Sequence, residues 1–116
     1  DFRNLAVFCD SFRRLAVDVE ERERLVTDLG NTNNMVLRNH GLLTLGQNVS
    51  DAWGRMWNLE RACQVQVLAM STGQPLNQAP IEAIEKTAAL VGKNPAGMAW
   101  PYLLRKLDAK DPSYKN

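Results

Sequence analysis

The sequence predicts an α/β domain with a few short strands and about four helices. Three observations carry that reading. Met35-Val36-Leu37 and Leu42-Leu43-Thr44-Leu45 are short apolar runs on either side of the polar break Arg38-Asn39-His40-Gly41, the pattern of strand, tight connection, strand. From about Val49 to Ser71 the apolar residues follow helical spacing. Beyond it, stretches opening at Pro80 and Pro95 carry further helical patterns.

In chain order, Leu5-Ala6-Val7-Phe8-Cys9, bounded by Asn4 and Asp10, reads as a strand. Ser11 to Arg14 turns the chain with Phe12 packing inward, and Val17-Asp18-Val19 alternates as a brief extended piece. Glu20 to Leu29 reads as a helix: Asp18 is its expected N-cap, Glu21 stands in the capping-box position, and acidic residues at the start suit the helix dipole. Leu25, Val26 and Leu29 form its apolar stripe, and Gly30 can take the left-handed conformation that closes a helix. The run Glu21-Arg22-Glu23-Arg24 reads as a solvated face whose charges pair locally. After the hairpin, Asn48 suits the cap of the long helix, with Asp51 three residues on. The helix is apolar on more than one face, since Trp57, Leu59, Val65 and Leu68 lie off its main stripe, so burial between layers or at a subunit contact is expected. Trp53, Met56 and Trp57 read as core. Glu60 interrupts the main stripe, and an internal ion pair is expected for it, because a buried carboxylate needs a partner. Gly73 to Gln78 is a linker. A third helix runs from about Pro80 to Val91 and ends at Gly92. Asn94-Pro95 reads as cap and first residue of a last helix to about Ala109, in which Pro101 either makes a kink or marks the true start. Asp111 to Tyr114 is a tail.

At 116 residues with 45% of them hydrophobic, the chain is one domain or part of one, with enough apolar material for a core. Fourteen basic against thirteen acidic residues give a net charge of +1, which offers no steering toward nucleic acid or an anionic membrane. No apolar run approaches the roughly 20 residues that span a bilayer. No secretory signal pattern opens the chain, so a cytoplasmic setting is expected. Cys9 and Cys63 are far apart and in no metal or redox spacing; they read as reduced core thiols, with a disulfide between them as the alternative. A start at Asp1 rather than Met suggests a processed chain or an excised piece.

His40 is the only histidine, and it sits in the connection between two strands, where a polar ring can reach a metal or a substrate. Taken alone, one His near a turn is more often structural or solvated than a ligand. A metal site needs three or four ligands, and the chain has no second His and no CxxC.

Several stretches together resemble the class II aldolase/adducin domain family. They are Leu15-Ala16-Val17-Asp18 with Glu21 to Val26 and Leu29-Gly30; Val36 to Gly46 with Asn39-His40-Gly41 at its centre; Leu59 to Val67; and Ala99-Trp100-Pro101 with Leu103 to Asp108. The likeness covers nearly the whole chain. It implies a three-layer α/β/α fold around a mixed sheet. It implies a divalent metal, usually zinc, held by a His-x-His pair and by the His of the Asn-His-Gly stretch, to which His40 corresponds. The metal of the family's aldolases binds the hydroxyl and carbonyl oxygens of a keto-sugar phosphate and stabilises the enediolate formed as the C–C bond breaks. This chain has no His-x-His, and the family's acid/base Glu and phosphate-binding loops have no counterpart in it. By this likeness, residues 1–116 are a single partial domain, the carboxy-terminal part of the family domain. The piece alone is expected to be inactive. The parent is expected to be a lyase-type enzyme (aldol cleavage, or epimerase or dehydratase chemistry) on a small sugar phosphate or hydroxy-carbonyl compound, and a homo-oligomer, by resemblance a tetramer. Two alternatives remain: an adducin-like non-catalytic scaffold and a helical interaction module.

Overall fold

A computed structural model gives the fold and describes residues 5–7, 19–93, 95–97 and 99–115. The order is β1 (Leu5–Val7), α1 (Val19–Leu29), β2 (Asn34–Leu37), β3 (Gly41–Thr44), α2 (Val49–Ser71), α3 (Ile81–Lys93), α4 (Ala99–Lys110) and a closing 3-10 turn (Pro112–Lys115). The strands form one sheet in the order β1-β2-β3. β1 and β2 run parallel, from Leu5 opposite Asn34 to Val7 opposite Val36. A parallel pair needs a crossover rather than a hairpin, and α1 lies within that crossover. β2 and β3 are antiparallel, from Asn34 opposite Thr44 to Leu37 opposite Gly41.

The register explains the layering. Side chains alternate across a strand, and residues paired across the ladder share a face. Met35 and Leu37 are buried and pack with Leu25 and Leu29 of α1 and with Leu43, the partner of Met35. The intervening residues face the other way. There Thr44, partner of Asn34, donates its hydroxyl to the Ala52 carbonyl of α2 at 2.9 Å. α1 and α2 therefore cover opposite faces of the sheet, which is the α/β/α arrangement.

α2 begins where Asn48 caps it, its side-chain oxygen accepting the Asp51 amide at 2.9 Å. Gly54 and Leu59 are its buried residues. A Cβ at Gly54 would collide with the backbone of Pro95 and Ala96, so this glycine lets the 95–97 turn lie directly on the helix. Asn58 fixes the same turn by donating to the Pro95 carbonyl at 3.2 Å.

Several boundaries differ from the sequence-based expectation. Val19 opens α1 rather than extending a strand. Pro80 precedes α3, and its carbonyl accepts the amides of Ala83 and Ile84. α3 runs through Gly92 to Lys93. α4 starts at Ala99, because left-handed Gly97 (φ 52°) interrupts any helix from Pro95. Pro101 then falls in the first turn, where its missing N–H would have no intrahelical partner, so it makes no break. The tail folds into the 3-10 turn: Asp111 accepts the Ser113 amide at 3.0 Å, and Asp108 receives the Tyr114 hydroxyl at 2.5 Å and the Lys115 ammonium at 2.8 Å. The expectations for Phe8, Cys9, Phe12 and Asp18 lie outside the described residues.

Candidate functional site at the hairpin tip

Arg38, Asn39 and His40 form the connection between β2 and β3, and all three are exposed. The His40 amide donates to the Leu37 carbonyl at 3.2 Å and closes a tight turn. Asn39, third residue of that turn, has φ 56°, a left-handed conformation that Asn tolerates better than most residues. Gly41 follows at φ 153°, which a side chain would oppose even though a Cβ there would meet no atom within 4 Å. Asn and Gly are thus dictated by the backbone. The imidazole between them stands at the end of the ladder, and three residues before it the strand is anchored by buried Leu37. The ring is presented outward from a fixed base.

No three or more His, Cys, Asp and Glu side chains come together as a metal-binding group among the described residues. Cys63 is a free, half-buried thiol on α2.

Glu60 does not form the internal ion pair expected of it. It is exposed and accepts from Gln64 at 3.0 Å, and Gln64 in turn accepts from Arg61 at 3.3 Å. The packed side of α2 is centred on Ala52 and Leu59, so position 60 turns away from the sheet. The tryptophans form a half-exposed cluster rather than a deep core. Trp53 stacks on Trp57 at 5.6 Å and meets Trp100 of α4 at 5.9 Å, and the Arg61 guanidinium lies 4.7 Å above the Trp57 ring. Sequence reasoning missed the contact of Gly54 with the 95–97 turn, since a lone glycine in a helical stretch carries no sign of what approaches it.

These layers, with an Asn-His-Gly turn at the end of the hairpin, define an α/β-class protein. The profile of the Class II Aldolase and Adducin N-terminal domain matches residues 4–67, just over half of the chain, and the chain belongs to that family. A Caulobacter vibrioides protein with the provisional name aldolase class 2 protein is 41% identical over 107 residues, which cover 89% of this chain and 42% of that protein. The decarboxylase NovR of Streptomyces niveus is 30% identical over 96 residues, covering 83% of this chain and 35% of the decarboxylase. The crystal structure of an aldolase II superfamily protein from Pseudomonas syringae matches with a TM-score of 0.77 at 36% identity, covering 98% of this chain and 47% of that one. The chain spans less than half the length of these relatives.

Proposed function

We propose that residues 1–116 are the carboxy-terminal part of a metal-dependent, lyase-type enzyme domain, and that His40 supplies one ligand to its divalent ion, zinc by family resemblance. The observation that carries this reading is the placement of the one histidine, exposed at a hairpin tip whose backbone admits Asn39 and Gly41 on either side. The ion would supply charge to polarise the carbonyl and hydroxyl oxygens of a small sugar phosphate or hydroxy-carbonyl substrate. This chain's contribution is positional. The Leu37–His40 turn fixes the imidazole, and the α1 and α2 layers hold the strands that carry the turn. The remaining ligands, the acid/base group and the substrate loops would come from outside these residues, so the 116-residue chain alone is inactive. A 30% identical relative named as a decarboxylase fits a site that stabilises charge beside a carbonyl and can serve more than one bond cleavage. We place the protein in the cytoplasm as a homo-oligomer acting on a small molecule, with neither nucleic acid nor membrane as partner. No helix among the described residues is long and apolar enough to cross a membrane.

The adducin-like reading is the second one. It is favoured by the lack of a metal-ligating group among the described residues and by the family's inclusion of adducins. Turnover separates the two. The complete protein, stripped of metal by a chelator and reloaded with zinc, is assayed for cleavage of a panel of keto-sugar phosphates and β-hydroxy acids. Zinc-restored cleavage of any member supports the enzyme; zinc binding and cleavage both absent favour the scaffold.

A further inference from the structure

A charged side chain lies on the packed side of α2. Arg55 stands three residues after Ala52, whose carbonyl takes the Thr44 hydroxyl from the sheet, and four before buried Leu59. That spacing sets all three on one helical face. Arg55 is half-buried, and its Nε is covered from solvent without a hydrogen-bond partner. The favoured helical partner of an Arg is a carboxylate one turn earlier, and Asp51 stands there. Yet among the described residues Arg55 makes neither a hydrogen bond nor an ion pair. Glu60, the next carboxylate along the helix, accepts from Gln64 instead. The hairpin and its connections offer none, since the chain from Leu29 to Ser50 contains no Asp or Glu.

We infer that Arg55 is an oxyanion-binding residue, which takes a carboxylate or phosphate group on the Nε edge of its guanidinium. A guanidinium stays charged throughout the physiological range, so it cannot escape burial by losing a proton. A long cationic side chain that only lays its stem across a helix keeps its head in water, but here the Nε is inside. A covered, charged donor is satisfied best by an ionised acceptor. The planar fork, Nε–H beside an Nη–H, matches two oxygens of one carboxylate or phosphate, so charge and shape both select an oxyanion over a neutral carbonyl. That oxyanion has two sources: a free small-molecule anion, or an acidic side chain of the complete protein outside the described residues. This goes beyond the ligand role proposed for His40 and does not depend on it.

The test uses the complete protein in chloride buffer. The wild type is compared with Arg55→Met, which keeps an unbranched apolar stem, and with Arg55→Lys, which keeps the charge but not the fork. Inorganic phosphate and acetate are titrated at constant ionic strength and followed by calorimetry and thermal unfolding. If the oxyanion is free, phosphate or acetate binds the wild type saturably and raises its unfolding midpoint, and both variants bind it at least about tenfold more weakly. If the oxyanion is a side chain, no anion effect depends on Arg55. Both variants are then less stable than the wild type by a margin that shrinks as pH falls, because the carboxylate that lost its partner takes up a proton more readily. Anion binding indifferent to Arg55, together with a stability margin that is the same at acidic and neutral pH, overturns the inference. Where Arg55→Met does not fold, Arg55→Lys against the wild type gives the same three outcomes. Zinc content is expected to be unchanged in Arg55→Lys, so failure of the metal reading is registered separately, by His40→Ala.

Discussion

At the scale of single residues, the hairpin tip is ruled by two backbone conformations. Gly41 at φ 153° has open space where a Cβ would go, so Gly41→Ala has a purely conformational cost, of about 1–3 kcal/mol. Urea denaturation should show it as a lower midpoint at unchanged slope. Asn39→Gly should be near neutral, because both residues accept the left-handed conformation, whereas Asn39→Val should be destabilising. His40 is exposed, and His40→Ala should change stability by no more than about 0.5 kcal/mol. Loss of function in that variant would then report the imidazole rather than the fold. Residue pattern alone revealed His40 as a candidate but not its role, since one imidazole in a turn defines no coordination sphere; the proposed ligand role rests on the family resemblance.

At the scale of elements, α2 organises the described structure. Its extent was legible because both ends carry local chemistry: Asn48 accepts the Asp51 amide at the start, and left-handed Gly73 follows the end. Asn48→Ala should cost about 1 kcal/mol. Gly54→Ala should cost about 1–3 kcal/mol by forcing the Pro95–Ala96 backbone off the helix, and thermal unfolding would show it. The start of α4 was not legible in the same way. Pro95 looks like a first helical residue, but Gly97 and the docking of Ala96 on Gly54 turn the chain there, and docking is a tertiary fact. Glu60 was misplaced because it interrupts the main apolar stripe of α2, whereas the neighbouring Leu59, off that stripe, is the buried residue.

The carboxy-terminal turn gives a pH dependence at the same scale. Hydrogen bonds from Lys115 and then Tyr114 hold the Asp108 carboxyl below its ordinary range, and the same bonds raise the Tyr114 hydroxyl and the Lys115 ammonium. A lowered carboxyl stabilises above its ordinary pKa, and that stabilisation is lost as pH falls through the lowered value. The raised groups stabilise below their ordinary values, and that is lost as pH rises through the raised ones. The turn should therefore stay ordered through the neutral range and loosen at both extremes, followed by the Tyr114 ring resonances. Asp108→Asn should weaken it throughout and remove the acidic transition.

At the scale of the whole molecule, layers on both faces of a short sheet were expected from the family resemblance, and the register shows how they are achieved. What local pattern could not convey is how much of α2 and α3 stays exposed. The same holds for the proposed site: His40 is its one candidate ligand among these residues, and the relatives are more than twice as long as this chain. The most direct test of the central claim is metal content per chain in the complete protein, wild type against His40→Ala. The account predicts about one zinc per chain in the wild type, lost in a variant that remains folded. A wild type without metal, or a His40→Ala protein that keeps its zinc, would contradict it.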